Sequence, residues 1–362
     1  MYYNKEPFFW DNYSDQPSVI KDKGFKRSMR KKHFGDFLKI IGTTSVIFPA
    51  AVATMKLFES KNSVKSINPI EFYGLGVNLD KGDYQQELIE ELEVKSLIVR
   101  IPLNDIQNLD QYYDFVKSFG NNKKILLNII QDRHHIDKKD DLQLHIMKIF
   151  NTFKDITDEY QIGTTINRAK WGFFSVSEYL DFYKTVQEIR DDKFATLKLL
   201  GPSVIDFEYY YTIRALFNNY DIKFDKLSSL LYVDRRGSPY NTQMGIFDTQ
   251  RKIDMLYALV CMSSKMKSDD IYITEVNWPL KGTAPYAPTS EKECVSEEEY
   301  ARYMVEYFDI AKNSGKVSKV FWHQLIASGY GLIDNRNNTI RKTKAFYEFK
   351  KLIQKTKQEF SL

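Results

Sequence analysis

From residue 71 onward, short apolar runs alternate with longer segments in which charged and apolar residues are mixed. The apolar runs are rich in Leu, Ile, Val, Tyr and Phe, which is typical of buried strands. They lie at residues 72–79, 96–101, 124–130, 160–166, 197–201, 227–233, 270–275 and 319–324. Amphipathic helical segments separate them, at residues 83–93, 109–119, 175–190, 253–267 and 296–314. This alternation predicts βαβ units and a parallel sheet.

Eight strand runs over about 250 residues fit a (β/α)₈ barrel, the TIM barrel. An open doubly wound sheet is the alternative. It is disfavoured because no G-x-G-x-x-G follows a strand and opens a helix. We therefore predict an α/β fold with one barrel domain at residues 68–362, in which residues 344–360 form the last helix.

The first 58 residues follow a different pattern. Residues 1–36 are basic, and we expect them not to pack on the barrel. Residues 37–58 contain an uncharged run from Ile40 to Met55 and predict a signal peptide or a signal anchor. A core helix is a third possibility. The first two interpretations place the barrel outside the cytoplasm, in the periplasm or anchored to the inner membrane.

Composition excludes several classes of protein. The formal net charge of +4 is close to balance, and no basic stripe interleaves with aromatics, so nucleic acid is not an expected partner. Two cysteines allow at most one disulfide, and no motif indicates a structural metal, a catalytic metal or a cofactor. Aromatic residues make up 15% of the chain, which leans toward carbohydrate because aromatic faces stack on sugar rings.

Polar and aromatic side chains gather where the predicted strands end. In a (β/α)₈ barrel these ends share one face, and that face carries the chemistry. The candidates are Arg100, Asn167, Arg168, Trp171, Asp206, Glu208, Asp234, Arg235, Glu275, Trp278, Trp322 and His323. Three of the four tryptophans are among them, as expected for indoles that stack on sugars.

Four segments, YGLGVNL, LIVRIPLND, ITEVNWP and VFWHQ, resemble the first, second, seventh and eighth strand motifs of clan A glycoside hydrolases. The resemblance implies that Glu275, at the end of strand seven, is the catalytic nucleophile. It also implies that Trp322 forms the floor of the sugar site. The alternative for Glu275 is a structural ion pair with Arg100 or Arg236.

One motif departs from that clan. In clan A glycoside hydrolases, strand four ends with an Asn-Glu pair whose Glu is the acid/base. This chain reads TTINRAKWG at that place, so Asn167 is followed by Arg168. Either the barrel binds glycans without cleaving them, or the acid comes from elsewhere. Glu208 and Asp206 are the first candidates for the acid, followed by Asp234 and Asp132.

Several arginines are expected at the same face: Arg100, Arg168, Arg235 and Arg236. An anion would neutralise them, and arginine binds carboxylates bidentately. Kdo-type sugars carry a carboxylate on the anomeric carbon, and their bonds need less acid assistance. The chain accordingly resembles the barrel component of a membrane-linked Kdo hydrolase. This implies an acidic glycan or glycolipid substrate, such as lipopolysaccharide, and an integral-membrane partner.

Overall fold

The computed structural model of the protein describes residues 4–59 and 68–360. The strands within these residues are numbered in chain order: β1 Asn4–Lys5, β2 Phe8–Asp11, β3 Gln16–Pro17, β4 Tyr73–Val77, β5 Ser96–Pro102, β6 Lys124–Ile130, β7 Glu159–Ile162, β8 Lys198–Ile205, β9 Lys226–Leu230, β10 Ile271–Val276, β11 Lys319–Trp322, β12 Ile333–Asp334 and β13 Arg341–Lys342. Strands β4 to β11 form a closed parallel barrel in sequence order, and β11 pairs with β4. The predicted barrel and its eight strands are confirmed.

Helices cover the outside of the barrel. They are α1 Lys23–Lys32, α2 Phe34–Glu59, α3 Gln85–Leu92, α4 Leu109–Ser118, α5 Arg133–Asp137, α6 Lys139–Phe153, α7 Val176–Lys193, α8 Tyr209–Leu216, α9 Thr249–Met262, α10 Glu297–Asn313 and α11 Lys344–Phe360. Short 3₁₀ helices lie at Leu79–Lys81, Leu103–Asn108, Ala169–Trp171, Asp234–Arg236, Glu291–Glu293 and Arg336–Asn338. All six predicted helical segments are confirmed.

A small apolar cluster fills the barrel interior. It consists of Ile98, Leu126, Leu200, Tyr272 and Phe321, contributed by five different strands. Gly74 on β4 is required beside Phe321, because a Cβ there would lie 2.4 Å from the ring. With its interior filled, the barrel is not a pore, and a ligand has access only to its mouth.

The N-terminal region packs across that mouth. Strands β1, β2 and β3 form an antiparallel sheet, and Phe8 is 3% exposed. The Phe8 ring packs edge to face against Phe25 of α1 and Phe174 of the barrel. The expectation that residues 1–36 do not pack is therefore wrong for the described residues, because apolar side chains of β2 find aromatic partners on the barrel.

Helix α2, which contains the predicted targeting segment, lies along the outside of the barrel against α8 and α9. Phe48 stacks on Tyr209 at 4.8 Å between ring centroids, and Phe58 meets Tyr257 at 5.3 Å. By length and composition α2 is able to cross a membrane, as signal sequences and some core helices also are. Only 11% of its most apolar stretch is buried, whereas the core helix of a soluble protein is mostly buried. Membrane targeting stays a prediction.

Candidate active site

A cavity of about 150 Å³ opens at the carboxyl ends of the barrel strands. Its lining residues come from the ends of six barrel strands, from the loops that follow them and from the N-terminal region. They are Ser14, Asp15, Gln16, Arg100, Thr165, Arg168, Lys170, Trp171, Ile205, Asp206, Tyr232, Arg236, Glu275, Asn277, Pro288, Thr289, His323 and Tyr330. Six of the predicted site residues are thus brought together: Arg100, Arg168, Trp171, Asp206, Glu275 and His323.

Glu275 lines this cavity at the carboxyl end of β10. The pairing of β10 with β11 shifts register between Ile273 and Val276, and such an irregularity re-aims the intervening side chains. Arg100 donates a hydrogen bond of 3.0 Å to Oε2 of Glu275, and the Tyr232 hydroxyl donates to Oε1. Both carboxylate oxygens are therefore held in place by the protein.

The surroundings of Glu275 favour its ionised form. Burial raises the pKa of Glu275, but His323, Arg100 and the Tyr232 hydrogen bond together lower it below its usual range. Burial lowers the pKa of His323 to about 4, so His323 is neutral at pH 7. At neutral pH the ionised state of Glu275 is therefore stabilised by Arg100 and by the Tyr232 hydroxyl. Burial raises the pKa of Tyr232, so its hydroxyl keeps its proton and remains a hydrogen-bond donor. The expected ion pair with Arg100 exists, and it lies inside the cavity.

Arg168 occupies the place of the missing glutamate and holds two carboxylates. Its guanidinium donates to Asp206 at 3.0 Å and to Glu208 at 2.8 Å. Asp206 lines the cavity, whereas Glu208 is not among the described lining residues. Either carboxylate would have to leave Arg168 before it served as a proton donor to a substrate.

Asn167 is engaged in the same loop. Its side-chain amide donates to Glu208 at 2.6 Å and to the carbonyl of Ile205, and its oxygen accepts from the Ile205 amide. These bonds join the loop after β7 to the end of β8. Asn167 is therefore a structural cross-link, and the expectation that it contacts substrate is not supported by its position.

The loop after β9 presents Arg236 rather than Arg235. Both residues adopt a left-handed backbone, with φ of 53° for Arg236 and 47° for Arg235. The Arg236 guanidinium lies 3.4 Å from the centroid of the Tyr232 ring, inside the cavity. Arg235 is exposed, and Arg235 and Asp234 line a neighbouring hollow of about 220 Å³. The prediction that Asp234 and Arg235 line the central site is wrong, and Arg236 lies where Arg235 was expected.

Two of the three candidate tryptophans do not reach the cavity. Trp278 and Trp322 are each 0% exposed and stack on one another at 5.8 Å. Their indole nitrogens donate to the Gly237 carbonyl and to the Tyr300 hydroxyl. The expectation that these two rings stack on a sugar is wrong, because both are buried behind the cavity wall. Trp171 does line the cavity, and Trp10 packs against its ring at 5.9 Å.

Asp132, a reserve candidate for the acid, lies away from the cavity. It caps α5 and accepts a hydrogen bond of 2.6 Å from His135, whose ring also contacts His145 at 2.7 Å. Of the two adjacent histidines of α5, His134 is exposed and pairs with Asp141, whereas His135 is 4% exposed.

Several residues of the cavity were not predicted as site candidates, and three of them carry charge or hydrogen bonds there. Asp15 comes from the N-terminal region, where no pattern indicated a contact. Tyr232 was hidden inside the apolar run of the sixth strand. Lys170 follows the strand-four motif and donates to Gln16 at 2.7 Å. Burial and Arg168 lower the pKa of Lys170 to about 8, so it is mostly charged at pH 7.

Neither a protein-family model nor a curated protein matches the sequence. Solved structures do match. The family 39 glycoside hydrolase from Xanthomonas axonopodis pv. citri has a TM-score of 0.57 at 12% identity, over 80% of this chain and 67% of that one. A family 1 β-glucosidase from Thermotoga maritima has a TM-score of 0.57 at 10% identity, over 81% and 99% of the two chains. These proteins share its fold.

A third neighbour is the family 51 α-L-arabinofuranosidase from Bifidobacterium longum, with a TM-score of 0.54 at 13% identity, over 81% of this chain and 75% of that one. The three enzymes are clan A glycoside hydrolases with an eight-stranded parallel barrel. The resemblance to clan A is thus confirmed for the fold, and identities of 10–13% extend it no further.

Proposed function

We propose that this protein is a glycosidase whose central catalytic carboxylate is Glu275. The observation that carries the proposal is the position of Glu275 at the end of the seventh barrel strand, inside the cavity, with both oxygens held by Arg100 and Tyr232. A carboxylate kept ionised and oriented suits attack on an anomeric carbon, or stabilisation of the cation that develops there.

Hydrolysis needs a proton for the leaving oxygen and a water molecule for the anomeric carbon. Asp206 is the better placed of the two predicted acids, because it lines the cavity and Glu208 does not. To act, Asp206 would exchange its bond with Arg168 for one with the leaving oxygen. His323 accepts a hydrogen bond from Arg100 at 3.1 Å and so helps to orient the guanidinium that holds Glu275.

We propose an acidic sugar of the Kdo type as the substrate. Four basic residues and three acidic residues line the cavity, so a ligand carboxylate would balance the charge. Arg100 and Arg168 donate hydrogen bonds to protein carboxylates, whereas Arg236 approaches Asp206 only at 3.6 Å and Lys170 donates to the Gln16 amide. Arg236 and Lys170 are therefore the better candidates to bind a sugar carboxylate. Nη1 of Arg236 is buried without a hydrogen-bond partner among the described residues. The small cavity favours a single terminal sugar, since sites for larger ligands measure roughly 300–1,000 Å³.

We also propose that the protein works at a membrane surface. Segment 37–58 would attach the protein at the periplasmic side of an inner membrane, where a glycolipid such as a lipopolysaccharide precursor is the substrate and an integral-membrane protein is the partner. Support comes from the apolar residues exposed on α2, which are Phe34, Phe37, Leu38, Ile41, Val46 and Leu57.

The test is the release of free Kdo from a membrane-embedded lipopolysaccharide precursor. The wild type is compared with Glu275→Gln, with Glu348→Gln on α11 as the matched control, in the presence and absence of native membranes. We expect release by the wild type and the control, and loss of release in Glu275→Gln. Full turnover by Glu275→Gln would refute the assignment of the carboxylate.

A non-catalytic glycan-binding subunit is the second candidate function. It is favoured by the two bonds from Arg168, which occupy both candidate acids. This candidate predicts saturable binding of the same glycolipid with no release of Kdo by the wild type, and equal binding by Glu275→Gln.

A further inference from the structure

The N-terminal segment, residues 4–17, supplies part of the cavity wall. Ser14, Asp15 and Gln16 line the cavity beside the barrel residues. Ser14 and Asp15 are each 6% exposed, as deeply buried as much of the barrel core. A segment that only crossed the surface would not bury a carboxylate, because burial of an unpaired charge is costly.

The Asp15 carboxylate has partners on the barrel. Its Oδ2 lies 3.8 Å from Nη1 of Arg100 and 3.7 Å from Nζ of Lys81, and accepts a hydrogen bond of 3.1 Å from Gln324. Burial raises the pKa of Asp15, but Lys81, Arg100 and Gln324 lower it below its usual range. Arg100 therefore has a carboxylate at each terminal nitrogen, Asp15 at Nη1 and Glu275 at Nη2.

The segment is also anchored outside the charge network. Trp10 packs on Trp171, and Phe8 is buried among aromatic rings. Gln16 accepts a hydrogen bond from Lys170 and donates one of 3.2 Å to the Pro288 carbonyl. These aromatic contacts and hydrogen bonds indicate that the segment is a fixed part of the cavity wall and does not dissociate from it readily.

We propose that Asp15 is a positioning residue of this site, which holds the Arg100 guanidinium against Glu275. Residues 4–17 are accordingly retained in the working protein, on the same side of any membrane as the barrel. The positioning role rests on the proposed function of Glu275, whereas retention of the segment does not.

This assignment decides between the interpretations of α2. Near its start, Asp36 pairs with Arg214 of the barrel at 3.1 Å, and near its end Phe58 packs on Tyr257. A helix that spanned a bilayer would separate these two ends by about 30 Å of hydrocarbon. It would also place Asp15 on the opposite side from Arg100. On this proposal α2 stays along the flank of the barrel, neither removed nor transmembrane, so a periplasmic location would not follow from cleavage or anchoring at residues 37–58.

Cysteine labelling tests the topology without any enzymatic activity. In a Cys261→Ser background, Asn12→Cys reports on the N-terminal segment and Glu348→Cys on the barrel. A membrane-impermeant maleimide is added to intact cells, and separately after lysis, and intact mass identifies the labelled species. We expect both cysteines to react under the same condition. Reaction of one before lysis and of the other only after lysis would overturn the proposal, as would a mature protein that lacks residues 4–17.

Asp15→Asn tests the positioning role, with Asp22→Asn as the control. Asp22 caps α1 in the same region and does not line the cavity. Glu275 faces Arg100, Tyr232, His323 and Lys170, and the contact with Arg100 lowers its pKa. If Asp15 holds the Arg100 guanidinium in place, Asp15→Asn weakens that contact, and the acidic limb of kcat/KM should move to higher pH, whereas it should stay in place in Asp22→Asn. A limb that does not move, or that moves to lower pH as loss of a nearby negative charge alone would cause, would contradict a positioning role.

If the wild type hydrolyses no glycoside, thermal unfolding tests whether Asp15 acts on Arg100. The fall in Tm caused by Asp15→Asn should be smaller in an Arg100→Gln background, because the shared interaction is already lost there. Equal falls in the two backgrounds would show that Asp15 does not act on Arg100.

Discussion

At the scale of the residue, His323 contacts both members of the Arg100–Glu275 ion pair. Its Nε2 lies 3.1 Å from Arg100, and its Nδ1 lies 4.0 Å from Glu275. A charged imidazole beside a buried guanidinium would be unfavourable, and burial already lowers the pKa of His323 to about 4. The neutral ring accepts a hydrogen bond from Arg100, so that its protonation would break the network.

The stability of the protein should therefore depend on pH above the range in which carboxylates titrate. Between an ordinary pKa of 6.5 and the folded value of about 4, the unfolded chain binds a proton that the folded protein does not. The free energy of unfolding should fall as the pH drops through this window, by about 3 kcal/mol in total. Urea unfolding of the wild type and of His323→Gln, each at pH 7 and at pH 4.5, measures this loss of unfolding free energy. An equal loss in both proteins would exclude His323 as the cause.

Arg236 and Arg235 are adjacent, and only Arg236 faces the cavity. Arg236→Ala should weaken binding of an acidic sugar by about 1.5–3 kcal/mol, the scale of a hydrogen bond to a charged group. Arg235→Ala should change binding little. Titration calorimetry with Kdo and with a neutral hexose gives the comparison. Equal losses for both sugars would argue against recognition of a carboxylate.

Arg235 and Arg236 also show how far the site could be predicted from the sequence. The positions of the strand ends identified which residues gather at the mouth of the barrel, because the alternation of strands and helices determines the topology. The strand ends did not indicate which way Arg235, Trp278 or Trp322 points. Neighbouring residues at the end of a strand face different sides, so a shift of one residue moves a side chain from the cavity to the core. Nor did the strand ends predict that Arg168 pairs with Asp206 and Glu208, which depends on two loops that meet only in the folded barrel.

At the scale of the element, one carboxylate fastens α2 to the barrel. Asp36 accepts hydrogen bonds from the Val176 amide at 2.8 Å and from the Ser177 hydroxyl at 2.6 Å, and pairs with Arg214. Asp36 is 7% exposed and Arg214 is 4% exposed. Such a pair stabilises the protein little relative to apolar side chains, but removal of one partner leaves a buried charge.

Asp36→Ala should therefore lower the free energy of unfolding by about 3–5 kcal/mol. The exposed Asp140→Ala in the first turn of α6 is the control, with an expected loss of about 0.3–1 kcal/mol. Chemical denaturation of both variants tests the difference. A loss in Asp36→Ala no greater than the control would mean that α2 is not fastened at this point.

The barrel elements were predictable because apolar runs and amphipathic segments alternate regularly. Helix α6 was harder, because charged residues at its start mask the buried stripe of Leu142, Ile146 and Phe150. The packing of β2 and Asp15 across the mouth was not predictable at all. It depends on contacts with Trp171 and Arg100, far along the chain, and leaves no local pattern.

At the scale of the whole molecule, the exposed apolar residues of α2 continue into the exposed basic residues of α1. The basic residues are Lys23, Arg27, Arg30, Lys31 and Lys32, and the nearest apolar ones are Phe34, Phe37, Leu38 and Ile41. Apolar side chains beside cations suit the boundary of a bilayer that contains anionic lipids. A helix held flat on the barrel would then attach the protein with its cavity beside the membrane.

The protein should bind vesicles that contain anionic lipid and release them as salt increases, because each basic residue near such a surface contributes about 1 kcal/mol that salt screens. Phe34→Ser with Phe37→Ser should weaken binding at every salt concentration, since the apolar contribution is lost. Leu144→Ser with Tyr347→Ser removes comparable exposed residues from α6 and α11 and serves as the control. Flotation on sucrose gradients measures the bound fraction. Equal binding by the two double variants would mean that α2 does not meet the lipid, and the attachment would then have to come from a protein partner.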